Sequence, residues 1–561
     1  AHMKAKRIEK RKKASSHILR KILIICLFLV SVAVVMNLAP NYRKDELEGK
    51  LKLIINQNDV TISLKQDIYV EDNIVYLSSK DIANFFDENI FYDNQYDQLI
   101  TGSDTKIATL KIDEKAMNIN SSKVSISGTA KHTEETFYLP FSEMETVYNI
   151  DVVYHPESNI VTVDSLDREQ KMATSTKDTN IQYMPTIFSK TVDNVKQGSS
   201  MILIEEKNGW AKVRTSQGII GYTKDYGNVR IVREQMETKK QIEGNISLVW
   251  DYYSEYASAP ARTEKIEGVN VVSPTFASLT RLGKGEIKTN IGQAGQNYIT
   301  WAHNNGYKVW AMVSNNSMKE TTSEILRDYT LRETLINNIV KLTMDYEIDG
   351  INIDFENIYQ EDKEFFSRFI IELAPRLREY GKVLSVDVTA PDGSEDWSLC
   401  YDRNVIGREA DYIIFMGYDQ YGATSPKEGT TAGADWVETN IKKFLGQEGV
   451  EPEKLILGMP FYTRLWKEQN GEVDSSVVSM KNVDSVLPEG IQKTWNADLK
   501  QNYVEYTEAG TVYKMWIEDL DSIKEKMNLV KQYELAGAAY WEKDMELDSV
   551  WNMIAEELQI P

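Results

Sequence analysis

The sequence predicts an α/β protein whose C-terminal part, 244–561, forms a (β/α)8 TIM barrel with a small inserted subdomain. Three observations predict it. Eight short apolar runs lie at 246–250, 269–273, 308–313, 349–355, 383–387, 412–418, 455–459 and 537–541, with the β-branched and aromatic content of buried strands. Intervening segments such as 331–346 and 361–380 carry apolar residues at helical spacing, and strands alternating with helices build a parallel sheet. The first run is followed by no glycine-rich phosphate turn, so an open doubly wound nucleotide-binding sheet fits less well. The seventh and eighth runs stand about 75 residues apart, far more than an ordinary αβ connection, which leaves room for the insertion.

The chain has 561 residues, too many for one core, and its 42% hydrophobic and 27% charged content is that of a globular protein. Ala1-His2 read as a remnant of cloning. Residues 1–21 are a basic tail, with nine Lys and Arg against Glu9. Residues 22–39 are apolar or small and uncharged, and are predicted to be a transmembrane signal anchor with its basic flank in the cytoplasm. A cleaved signal peptide also fits the charge and length, but no good small-x-small site precedes Pro40. The remainder is then extracytoplasmic. Setting aside the nine bases and one acid of the first 39 residues leaves 55 basic against 84 acidic residues, a charge of −29. That argues against nucleic acid or anionic lipid as partners of this part.

Of the two cysteines, Cys26 lies in the apolar run, so Cys400 has no intrachain partner outside the membrane. The five histidines are scattered, and neither a metal nor a cofactor is expected.

Residues 40–50 are a polar linker. Residues 51–165 alternate as short strands with Asn/Asp turns and contain an internal repeat. Val75-Tyr76-Leu77, Ile90-Phe91-Tyr92-Asp93 and Leu99-Ile100 are echoed 62 residues on by Phe137-Tyr138-Leu139, Val152-Val153-Tyr154-His155 and Val161-Thr162. The unit resembles the small N-terminal domain of copper amine oxidases, which also occurs in bacterial surface proteins. No copper ligands are visible, and the resemblance implies a spacer or wall-contacting module. Residues 166–235 carry Asn208-Gly209-Trp210 and Gly218-Ile219-Ile220-Gly221-Tyr222 among short strands. They resemble bacterial SH3-like domains of cell-wall enzymes, where Trp210 and Tyr222 are core or ligand contacts.

The fourth barrel run carries the chemistry. In Asp349-Gly350-Ile351-Asn352-Ile353-Asp354-Phe355-Glu356 polar and apolar residues alternate, so Asn352, Asp354 and Glu356 share one face. Carboxylates buried this way cost several kcal/mol unless paired. At the C-terminal end of a barrel strand such residues read as catalytic.

The segment resembles the Asp-Gly-x-Asp-x-Asp-x-Glu signature of glycoside hydrolase family 18. Phe415-Met416-Gly417-Tyr418-Asp419, Gly458-Met459-Pro460-Phe461-Tyr462-Thr463-Arg464 and Ala539-Tyr540-Trp541-Glu542 resemble that family's sixth, seventh and eighth strand segments, in order. The SH3-like neighbour and Asn352 are most similar to bacterial spore-cortex and cell-wall N-acetylglucosaminidases.

The resemblance implies a retaining, substrate-assisted glycosidase acting on N-acetylglucosamine linkages of peptidoglycan or a chitin-like glycan. Glu356 would be the acid and then the base. Asp354 would hold the acetamido N–H, Tyr418 would donate to its carbonyl, and Trp541 would floor the subsite. Asn352, Met416, Asp419 and Tyr462 are further substrate-binding candidates.

The family has Asp where this chain has Asn352, and there the two aspartates share a proton. The expectation here is that the Asn352 amide donates to Asp354 and lowers its pKa. Two other readings stand beside the enzyme: a catalytically silent wall-glycan-binding protein on this scaffold, and a surface docking platform.

Overall fold

Eight parallel strands close on themselves: β1 (Ile246–Asp251), β2 (Val271–Pro274), β3 (Lys308–Ser314), β4 (Gly350–Asp354), β5 (Val383–Val388), β6 (Tyr412–Met416), β7 (Leu455–Pro460) and β8 (Gly537–Trp541). Each pairs with the next, and β8 returns to β1 through Ile246↔Gly537. Every predicted run lies on one of these strands. This computed structural model describes residues 21–32, 34 and 49–561.

Around the barrel stand α1 (Gly292–Asn304), α2 (Lys319–Arg327), α3 (Tyr329–Asp345), α4 (Lys363–Arg378), α5 (Arg403–Glu409), α6 (Ala434–Leu445), α7 (Leu520–Gln532) and α8 (Val550–Leu558). The β1–β2 connection carries no helix. Between β7 and α7 lies the insertion, a five-stranded antiparallel sheet spanning 462–517.

Alternation along the strands separates two cores. Outward residues such as Ile351, Ile353, Phe355, Leu384, Val386 and Val388 pack under the helices. Inward ones, with Ile246, Leu248, Trp250, Val271, Trp310, Met312, Ile414 and Ile456, fill the barrel as side-chain layers. Trp310 explains Gly350. A Cβ there would sit 2.7 Å from the Trp310 ring and 2.8 Å from the Val383 carbonyl oxygen, so only glycine fits. Trp310 fills the lower barrel, and the inward acids Asp354 and Asp387 sit towards the strands' C-terminal ends.

The unit at 51–165 forms the repeat as a pseudo-twofold. Equivalent residues Leu77 and Leu139 pair across antiparallel strands Ile74–Ser78 and Phe137–Pro140. Strand Lys52–Ile55 joins the last strand, Ile160–Ser165, in parallel, Lys52 opposite Ile160.

This unit docks on the outer helices of the barrel. Tyr96 donates to Asp328, the N-cap of α3, at 3.0 Å, and Arg368 of α4 donates to the Asn89 carbonyl at 2.6 Å. Lys106 pairs with Glu379 at 2.6 Å. Residues 170–233 make a seven-stranded antiparallel sheet, tied to the preceding unit by a fork from Arg214 to Asp164.

Residues 21–32 are helical. Among the described residues no helix is long and apolar enough to cross a membrane. Most of the anchor expected over 22–39 is described, but residue 33 and residues 35–39 lie outside the described residues, as do the tail at 1–20 and most of the linker.

Candidate active site

β4 turns Asn352 and Asp354 into the barrel and ends just before Glu356. Two contacts fix the segment that carries Glu356. The Asn315 side chain, fully buried after β3, accepts from the Glu356 N–H at 3.0 Å and donates to its carbonyl at 2.8 Å. The Tyr401 hydroxyl donates to the Phe355 carbonyl at 2.6 Å.

Asp354 and Glu356 face a cleft of about 480 Å³ at the C-terminal end of the barrel. Trp541 lies in its wall, packed on Trp250 and Tyr252 with ring centroids 5.9 Å away in each case. Tyr418, Met416, Asp419 and Tyr462 are also lining residues, and the Tyr462 hydroxyl donates to Asp419 at 2.5 Å. Larger hollows on the two N-terminal units, about 720 and 670 Å³, hold no comparable cluster of buried acids.

Asn352 sits apart from these residues. It is fully buried beneath the cleft, and its side chain is consumed there: it accepts from Trp250 Nε1 at 3.0 Å and donates to Ser385 Oγ at 2.9 Å and Asp387 Oδ1 at 2.7 Å. The expectation that its amide donates to Asp354 is therefore corrected. Both amide hydrogens go to β5.

The expectation of a lowered Asp354 pKa falls with it. Burial and then the Asp387 charge raise Asp354 to about 7, against the opposing effect of a hydrogen bond with Glu356. Glu356 is held well above the ordinary carboxyl range by burial, by the Asp354 charge and their shared hydrogen bond, and by Asp419. Burial, and in smaller part the Glu356 charge, also lift Asp387 well above it, although the Asn352 hydrogen bond opposes the rise. Among the described residues no lysine, arginine or histidine lines the cleft. Acids pressed together without a cation keep their protons, which suits one of them to proton donation at neutral pH.

Sequence reasoning missed Asp387, Asn315, Trp397 and Trp436. Asp387 had a signal. In Val383-Leu384-Ser385-Val386-Asp387 the polar residues alternate as they do on β4, at the same end of the strand. Trp397, 45% exposed at the cleft, comes from the connection after β5, where no periodicity marks it, and Trp436 from the first turn of α6, where it reads as an ordinary helix residue.

The sequence profile of glycosyl hydrolases family 18 matches residues 249–546, more than half of the chain. That of the copper amine oxidase N-terminal domain matches 54–163. An uncharacterized glycosylase, YvbX, from Bacillus subtilis (strain 168) is 27% identical over 47% of this chain and 79% of its own. The putative sporulation-specific glycosylase YdhD of the same strain is 26% identical over 46% of this chain and 62% of its own. The cortical fragment-lytic enzyme of Bacillus anthracis is 25% identical over 44% of this chain and 58% of its own. The chain thus spans less than two thirds of the last two.

Proposed function

The chain belongs to glycosyl hydrolases family 18, and from that premise we propose that its barrel hydrolyses N-acetylglucosamine linkages in a cell-wall glycan by a substrate-assisted, retaining route. The observation that carries this is the Glu356 carboxyl, kept protonated beside Asp354 in a cleft walled by Trp541 and Tyr418.

Glu356 gives its proton to the leaving glycosidic oxygen while the substrate's acetamido carbonyl oxygen attacks the anomeric carbon. The glycosidic C–O bond breaks and an oxazolinium forms. Glu356, now a carboxylate, takes a proton from water, whose oxygen opens the ring with net retention. Asp354 accepts the acetamido N–H, Tyr418 donates to the carbonyl, and Trp541 packs on the sugar's C–H face. Asp419 and Tyr462, already bonded to each other, present a polar edge to the sugar, with Met416 beside them.

Relatives named for spore cortex and sporulation support peptidoglycan over chitin as the substrate. The antiparallel sheet at 170–233 supports a wall-contacting or spacing role for an SH3-like unit. The basic tail before the apolar run supports an anchor with the barrel outside the cytoplasm.

The test compares the unmutated chain with Glu356→Gln on N-acetylated and de-N-acetylated glycan fragments. Turnover of the N-acetylated fragment alone, abolished by Glu356→Gln, is expected. Equal turnover of both fragments would exclude substrate assistance.

A further inference from the structure

Resting on the family 18 reading above, we propose that Asp387 is a positioning residue that shares a proton with Asp354, supplied from β5 in place of the carboxyl that Asn352 lacks. The strand register brings the two acids together. Asn352 is opposite Ser385 and Ile353 opposite Val386, so one further step sets Asp354 beside Asp387. Neighbouring strands lie about 4.8 Å apart, and residues in register point to the same face. Both acids are cleft-lining residues, and Asp387 is only 1% exposed.

The hydrogen bonds point to the oxygen that carries the proton. An amide N–H can only donate, so the Asn352 contact makes Asp387 Oδ1 an acceptor. The other oxygen, Oδ2, is buried without a partner, and so is Asp354 Oδ1. Two partnerless oxygens on adjacent in-register acids need one hydrogen between them. A proton on Asp387 Oδ2, donated to Asp354 Oδ1, satisfies both and leaves Asp354 Oδ2 for Glu356 or an acetamido N–H. The proton stays within the pair, and the reaction neither consumes nor releases it.

The surroundings reinforce this. The groups facing Asp387 are Asn352, Asp354 and Glu356 from β4 and the segment after it, Ser385 from β5, and Tyr418 after β6. None is a cation, and side-by-side carboxylates without a cation do not both ionise near neutrality. In the family signature a second aspartate on β4 performs this task. Here Asn352 has become the strut that orients its replacement.

The test uses the full chain, unmutated and as Asp387→Asn, Asp387→Ala and the exchange Asn352→Asp/Asp387→Asn. It reads kcat and KM against pH on an aryl N-acetylchitobioside, melting temperature, and an infrared titration of protonated carboxyls without substrate. Asp387→Asn is expected to lower kcat by roughly tenfold to a hundredfold, the scale of a misplaced reacting group, with KM within about threefold. Its acid limb moves to lower pH and one protonated carboxyl band is lost. The exchange restores at least about tenfold of the lost kcat and returns the acid limb.

An Asp387→Asn protein with unchanged kcat and acid limb would overturn the proposal. So would an exchange variant that folds yet performs no better than Asp387→Asn. If the unmutated chain turns nothing over, the functional reading fails instead. The infrared band then decides the pair alone: its loss in Asp387→Asn upholds proton sharing, and its persistence overturns it.

Discussion

The side chain of Asn315 pairs with both the N–H and the carbonyl of Glu356, as a neighbouring strand would. The acid at the cleft is thus held by its backbone and not only by its carboxyl. Asn315→Ala leaves a buried N–H and carbonyl unpaired, at a cost of about 1–3 kcal/mol. It also frees Glu356 to wander, and a displacement of about 1 Å at a reacting group can cost on the order of a hundredfold in rate. We expect kcat to fall ten- to hundredfold on that scale, with melting lowered by a few degrees. A variant with kcat within about twofold of the unmutated chain would show the clamp to be dispensable.

The acids also predict the pH response. Asp354 must be ionised to accept the acetamido N–H, and its pKa is raised to about 7, so kcat/KM should fall below that pH. Glu356 must be protonated, and burial with the Asp354 charge holds its pKa well above the ordinary carboxyl range, so the alkaline limb belongs to it. The stability consequence has the opposite sense to activity. A folded pKa above the unfolded value gives stabilisation that is full below about 3.8 and lost as pH rises through about 7. Asp354→Asn should therefore melt a few degrees above the unmutated chain at pH 8 and show no such gain at pH 4, by calorimetry. A gain of equal size at both pH values would contradict the assignment.

Trp541 gives a binding prediction. Its indole is braced by Trp250 and Tyr252, so it meets a sugar without first losing rotamer freedom. Trp541→Ala should raise KM for an N-acetylated oligosaccharide by roughly tenfold or more, the scale of one lost aromatic contact. Titration by tryptophan fluorescence checks it, and an unchanged affinity would move the subsite elsewhere.

The insertion is fastened to the barrel by a buried ion pair. Lys526 of α7 donates to both oxygens of Glu518 at 2.9 and 3.1 Å, both residues being fully buried, and Gln501 and Ser522 complete the carboxylate's bonds. Lys526→Ala strands that charge and should cost about 3–5 kcal/mol. The double variant Lys526→Met/Glu518→Leu should cost less than either single change. Denaturant unfolding measures this, and additive losses would show that the pair is not coupled.

The barrel was legible because a strand buried on both faces has to be apolar over its whole length, and the eight runs say so. Glu356 and Asp354 were legible because a buried carboxyl has few other uses. Asn352 was legible as an exception and misread in its bonding. Its partners lie on β5 and β1, and a single strand's alternation gives no account of what its neighbours offer. Asn315 and Trp397 arrive from loops and Trp436 from the first turn of α6, where only the closed barrel determines proximity. The docking of the first unit through Asn89, Tyr96 and Lys106 was equally hidden, because each is an ordinary surface residue until the opposing helix is present.

The pairing of Lys52 with Ile160 governs how far the enzyme can range. Strand Lys52–Ile55 and strand Ile160–Ser165 run side by side in the same direction, so the chain enters and leaves this unit within about 20 Å. A flexible tether of the same length would have a root-mean-square span of about 60 Å. These residues therefore shorten the leash. Residues 52–165 thus add only about 20 Å of reach between whatever precedes them and the barrel.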